Sequence, residues 1–178
     1  MSCCSSELLG HGNAGHRQSS TDGPPPLVNA PTYPAFQYLP GIRNTGYVVG
    51  CDFQLTPSGV VITRCGFYHV EFQVTLYRDA TQEPEYATFV VLLLVNGVLN
   101  PADTNLAAAS NTMFNGGPTS NGQTLTWVAF NNLALKPGDQ LQLVISDAGG
   151  GDMPSARVIQ WAIVLQKLQG CPQQCCPG

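Results

Sequence analysis

Tyr68, Val70, Phe72, Val74 and Leu76 alternate with His69, Glu71, Gln73, Thr75 and Tyr77. A period of two over ten residues predicts a half-buried strand over Gly66–Tyr77, with one wet face. Tyr86–Val95 is nearly all apolar, as a central strand covered on both faces would be. Asn96-Gly97 then marks a tight hairpin turn. Further strands are predicted at Tyr47–Phe53, Val60–Thr63, Gln123–Leu133, Gln140–Ser146 and Arg157–Leu168. Leu125, Trp127 and Ala129 share one face of the third of these. Leu141, Leu143 and Ile145 point inward on the fourth, and Ile159, Trp161, Ile163 and Leu165 on the last. Residues 101–122 read as loop with a short strand near Thr112–Phe114, and 147–155 as a loop around three glycines. Thr56-Pro57-Ser58-Gly59 and Leu135-Lys136-Pro137-Gly138-Asp139 read as turns. No segment has a 3.6-residue period. Eight or more strands at this spacing, joined by loops of uneven length, predict an all-β sandwich of antiparallel strands, most commonly a jelly roll.

The ends differ from the middle. Residues 1–30 are rich in Ser, Gly, His, Asn and Pro and offer little apolar surface to bury. Aromatic residues return at Tyr33, Phe36 and Tyr38, in a segment expected to lie on the domain. The predicted organisation is a flexible cysteine-containing N-terminal tail (1–40), a jelly-roll domain (41–169) and a cysteine-rich C-terminal tail (170–178).

Composition narrows the function. Charged residues make up 10% of the chain, against about 25% in ordinary domains. Such a surface repels its neighbours weakly, which favours association. A net charge of −4 with seven scattered Lys and Arg argues against nucleic acid, which needs clustered cations. The longest apolar run, Phe89–Val95, is too short for membrane insertion, which takes about 20 residues. The first residues lack the basic start and apolar run of a secretory signal.

Five of the seven cysteines sit near the termini: Cys3, Cys4, Cys171, Cys175 and Cys176. Thiols at the tips of flexible tails are badly placed to staple a core and well placed to reach another chain. They are therefore candidates for intermolecular disulfides. Reduced, inert thiols are the plainer alternative. A zinc site is disfavoured because Cys171-x3-Cys175-Cys176 lacks paired two-residue spacings, and His11 and His16 lie at loose spacing from Cys3 and Cys4. Cys51 and Cys65 fall near each other if Phe53–Leu55 pairs with Val60–Ile62. They are candidates for an intradomain disulfide, which needs Cα atoms within about 7 Å; two buried thiols are the alternative.

Four pieces of the chain, in order, resemble the tumour-necrosis-factor-like superfamily, in its branch with complement-type globular heads. Phe53-Gln54-Leu55 and Val60-Val61-Ile62 precede Gly66-Phe67-Tyr68-His69-Val70, which is similar to the family's glycine–aromatic–tyrosine lead into a long central strand. Leu94-Val95-Asn96-Gly97 is similar to its strand ending in an Asn-Gly turn. Leu133 to Leu141 is similar to its leucine–x–leucine–x–x–glycine–aspartate turn, and Ile159–Leu168 to its last apolar strand. The resemblance spans about 45–168. It implies a ten-stranded jelly roll, a homotrimer, and aromatic and aliphatic side chains on the sheet nearest the three-fold axis. Some bacterial members cap collagen-like hairs on spores, but this chain has no Gly-x-y repeat.

No catalytic constellation is found, and an enzyme is not expected. His69 is the one histidine inside the predicted domain, and a solvated or hydrogen-bonded imidazole is its default role. Asp139, Asp147 and Asp152 stand in late turns and loops, where acidic residues most often end turns; no metal and no cofactor is expected. Trp127 and Trp161 read as core residues rather than a sugar-stacking platform. The expected function is a structural subunit of a disulfide-linked fibre or lattice of trimers, extracellular or on a bacterial spore. Its partners would be itself and other surface proteins or glycans. The alternative is a binding head for a receptor or carbohydrate, with loops 101–122 and 147–155 making the contacts.

Overall fold

The computed structural model describes residues 11–17, 23–41, 44–49, 51–57, 59–79, 81, 84–98, 108–114, 122–149 and 153–171. These contain twelve strands: β1 (His11–Arg17), β2 (Leu27–Asn29), β3 (Gln37–Tyr38), β4 (Asn44–Val49), β5 (Phe53–Thr56), β6 (Gly59–Ile62), β7 (Gly66–Arg78), β8 (Tyr86–Val95), β9 (Ala108–Phe114), β10 (Gln123–Leu135), β11 (Gln140–Asp147) and β12 (Ser155–Gly170). They form two sheets. One runs β10-β7-β12-β1-β4, with β2 beside the start of β12; the other runs β5-β6-β11-β8-β9, with β3 beside β11. Every ladder is antiparallel. The two sheets enclose one core, and the all-β jelly roll expected from the pattern is the fold observed.

Period two governs the packing. Tyr68, Val70, Phe72, Val74 and Leu76 of β7 are all fully buried. They meet Phe89, Val91 and Leu93 of β8, Leu141 and Ile145 of β11, and Trp161, Ile163 and Leu165 of β12 in a single cluster. The other phase of β8 is apolar for a different reason. Leu92 and Leu94, with Val144 of β11, form a second cluster on the far face of their sheet, against Phe36. The strap that covers it is residues 31–39. Ser146 Oγ donates to the carbonyls of Pro31 at 3.0 Å and Ala35 at 2.7 Å, and the Leu39 amide donates to Leu143. The expected tail over 1–40 is thus partly sheet and strap. β1 was hidden because backbone ladders to β12 and β4, not apolar side chains, hold it. Gly15 permits the contact, since a Cβ there would collide with the Trp161 carbonyl.

Two local details depart from expectation. A bulge between Val158 and Gln160 shifts the phase of β12, so Val158 is buried where Ile159 was expected. Arg78 is fully buried at the end of β7. It donates to the carbonyls of Ser155, Met113 and Pro84 at 3.0, 3.2 and 2.6 Å, and its guanidinium lies 5.6 Å from the Phe89 ring centre. One cation thereby ties β9 and the starts of β8 and β12 to β7.

The β8 turn is the expected hairpin. Asn96 and Gly97 both take positive φ, 56° and 73°, the pairing a tight turn of matching twist requires. Phe72→Ala is expected to cost about 3–5 kcal/mol, the range for emptying a large buried side chain, read as a lower urea midpoint at unchanged slope.

Candidate functional site

The outward phase of β10, β7 and β12 makes one continuous face. The ladders set its rows: Val128 opposite Gln73 opposite Ala162, then Phe130–Glu71–Val164, then Asn132–His69–Gln166. Phe67 closes the row beyond, opposite Ala134. Outward side chains of a strand normally carry the polar half of the alternation. Here Phe130 is 67% exposed, Val128 54%, Phe67 and Leu168 42% and Val164 37%. Several polar members bond to one another within the sheet. His69 Nδ1 and Asn132 Oδ1 lie 2.9 Å apart, and the His69 ring sits 5.7 Å from that of Phe130. Thr75 and Thr126 hydroxyls bond at 2.9 Å, and Gln160 Nε2 donates to Thr75. The exposed apolar members occupy the rest of this face. Sequence reasoning placed Leu125, Trp127 and Ala129 inward but did not single out Val128 and Phe130. The signal was there: β10 is apolar in both phases over Trp127–Phe130.

At the far end of the same ladder, β7 and β12 build a polar corner. Lys167 points inward, and its ammonium donates to Asp52 Oδ1 at 2.6 Å; both side chains are buried. The Tyr68 hydroxyl donates to the Arg64 carbonyl at 2.8 Å, and Lys167 lies 5.6 Å from the Tyr68 ring centre. Burial first, and the Asp52 carboxylate second, push the Tyr68 phenol well above its ordinary range, with Arg64 opposing. Nothing in the alternation marked Lys167 as inward except its phase, shared with Leu165.

The cysteines fall differently from expectation. Cys65 is bonded to Cys171, with Cα atoms 5.6 Å apart. The β7–β12 ladder explains it: Gly66 opposite Gly170 makes Cys65 and Cys171 the next facing pair. The candidate Cys51–Cys65 bridge is not formed, and the alternative of two buried thiols does not hold either. Phe53 stands opposite Ile62, which carries Cys51 toward Arg64 rather than Cys65, and Cys51 is exposed. Cys171 is therefore an intrachain partner here rather than an intermolecular one. Cys3, Cys4, Cys175 and Cys176 lie outside the described residues, as does Asp152.

The remaining candidates have structural work. Cys65 is a disulfide sulfur, so it offers His69 no thiol to activate. Asp139 accepts from the Lys136 amide and from Asn96 Nδ2, both at 2.9 Å, and so locks two turns together. Asp147 Oδ1 accepts from the Gly149 amide. Trp127 and Trp161 are buried, and Trp161 Nε1 donates to the Pro40 carbonyl at 2.7 Å. Among the described residues no cluster of His, Cys, Asp and Glu could hold a metal, and no helix is long and apolar enough to cross a membrane. A cleft of about 410 Å³ opens beside Glu85, Tyr86, Thr88, Asp147 and Gly149, at the 147–155 end.

Comparison with solved structures settles the fold type. The globular domain of zebrafish complement 1qA protein is similar over 92% of this chain and 99% of its own, at 15% identity and a TM-score of 0.54. Murine APRIL is similar over 88% and 98%, at 12% identity and a TM-score of 0.50. The chain has the jelly-roll fold shared by complement globular heads and tumour-necrosis-factor-like domains. No protein-family model and no curated sequence matches it.

Lys167→Met leaves the Asp52 carboxylate buried without its cation. It is expected to cost about 3–5 kcal/mol, the range for halving a buried ion pair. A denaturant titration checks it, with Asp52→Leu added in the double variant expected to recover most of the loss.

Proposed function

We propose that the chain is a non-enzymatic structural subunit that associates with copies of itself through the outer face of β10, β7 and β12. The observation that carries this reading is the exposed set Phe130, Val128, Phe67, Val164 and Leu168 on one sheet. Exposed apolar residues gathered on one face mark association sites, and the low overall charge opposes association weakly. Three is the copy number that the sequence resemblance implies, with this sheet nearest the symmetry axis.

The chain's two cysteine-bearing ends support a second level of assembly. His11 stands opposite Gln166, and the chain leaves the sheet at Gly170. The two exits are therefore about four residues of strand apart, roughly 14 Å, at one end of the domain. Cys3, Cys4, Cys175 and Cys176 would then act from a single pole and link trimers into a fibre or lattice. An extracellular or spore-surface assembly is the setting this reading proposes. A second reading, a receptor- or carbohydrate-binding head, is favoured only by the cleft beside exposed Tyr86.

Light-scattering mass with and without reductant tests both levels. Large species are expected without reductant, falling to a three-subunit particle with it. Replacing Cys3, Cys4, Cys175 and Cys176 with Ser is expected to give the three-subunit mass in both conditions. A one-subunit mass in reductant would refute the trimer; a wild-type mass that ignores reductant would refute the disulfide links.

A further inference from the structure

Lys167 and Asp52 hold an amine and a carboxyl carbon in contact, away from water. Lys167 Nζ lies 2.6 Å from Asp52 Oδ1, and the two side chains are only 9% and 4% exposed. Backbone contacts fix both ends. The Asp52 carbonyl accepts from the Thr63 amide at 2.9 Å and the Arg64 amide at 3.4 Å, and the Tyr68 hydroxyl stands 3.5 Å from it. Lys167 sits in the β12 ladder opposite Tyr68. Its stem passes over Gly66, where a Cβ would lie 2.6 Å from Lys167 Cε. Its ammonium lies 5.6 Å from the Tyr68 ring centre. The bare glycine makes room for the stem, and the carboxylate meets its tip.

We propose that Lys167 and Asp52 condense into an intramolecular isopeptide bond, a covalent cross-link made by the folded chain itself. The ion pair is the starting state. A proton passes along the hydrogen bond from Nζ to Oδ1, leaving a neutral amine and a neutral carboxylic acid. The amine lone pair attacks Asp52 Cγ, and the Nζ–Cγ bond forms. The C–OH bond breaks, the departing hydroxyl takes one proton from the nitrogen, and one water leaves. Nothing is oxidised or reduced, and no co-reactant enters. Two physical effects favour the amide. Two buried ions forfeit hydration that a neutral amide does not need. Partners held in contact within one molecule reach effective concentrations of about 10⁵–10⁸ M, which offsets the tendency of water to hydrolyse an amide. The neighbouring Tyr68 phenol is kept protonated, chiefly by burial, so it brings no second anion to compete for the amine.

The bond would join the two sheets. Asp52 leads into β5 of one sheet, and Lys167 belongs to β12 of the other. It would close a separation of 115 residues, beside the 106 closed by the Cys65–Cys171 disulfide. The two links differ in chemistry. A reductant opens a disulfide and leaves an amide intact, so the sandwich would keep a covalent closure in reducing as well as oxidising surroundings. The inference needs neither the trimer nor links between trimers.

The test is the intact mass of the full chain, held folded at neutral pH, then denatured, reduced and alkylated. The wild type is expected to weigh one water less than its sequence. A protease map is expected to show one pair of peptides joined through Asp52 and Lys167, which reductant does not separate. Asp52→Asn is expected to form the same bond by releasing ammonia, and so to weigh one ammonia less than its own sequence. Asp52→Ala and Lys167→Arg are expected to weigh what their sequences do. On a reducing denaturing gel the cross-linked wild type should run faster than Asp52→Ala, because a closed loop is more compact than an open chain. A folded wild type at its full sequence mass after prolonged incubation, with Lys167 fully open to acylation once unfolded, would overturn the proposal. So would a missing water without the joined peptides, since dehydration would then lie elsewhere in the chain.

Discussion

The register between β7 and β12 is the constraint on which the rest of this molecule depends. One ladder runs from Tyr77 opposite Arg157 to Gly66 opposite Gly170. Its inward phase supplies Phe72, Val74, Trp161 and Ile163 to the core. Its outward phase, extended across β10, supplies the face of Phe130, Val164 and Phe67. Its last step brings Cys65 to Cys171, and one inward position before that places Lys167 over Asp52. A slip of one residue would exchange the two phases everywhere at once, burying Glu71 and Gln166 and exposing the core. Core, exposed apolar face and polar corner are three readings of a single alignment.

Much of this was legible because period two is a local signal. The alternation from Tyr68 to Tyr77 named both faces of β7, and the apolar run Tyr86–Val95 announced a strand covered twice. The agent of the second covering, the strap of residues 31–39, was foreseen only as a segment lying on the domain. The ordered resemblance, built on short turn motifs such as Leu135 to Asp139, pointed to the jelly roll that the structure displays.

What escaped was non-local or carried by backbone. β1 has no apolar rhythm; it is held by amide ladders on both sides and by the missing side chain of Gly15. The Cys65–Cys171 bond joins residues 106 positions apart, and neither the candidate Cys51–Cys65 bridge nor the alternative of two buried thiols foresaw it. The bulge at Val158/Gln160 moved Ile159 out of phase. The face itself could have been found, because Val128 and Phe130 occupy positions that a solvated strand would give to polar residues.

The central claim is that the β10–β7–β12 face is where copies meet. Sedimentation velocity of Phe130→Asp beside Tyr86→Asp, both in reductant, tests it most directly. Both residues are about equally exposed, at 67% and 64%, but Tyr86 stands on the opposite sheet. The account predicts a one-subunit particle for Phe130→Asp and a three-subunit particle for Tyr86→Asp. Three subunits for Phe130→Asp, or one for Tyr86→Asp alone, would contradict it.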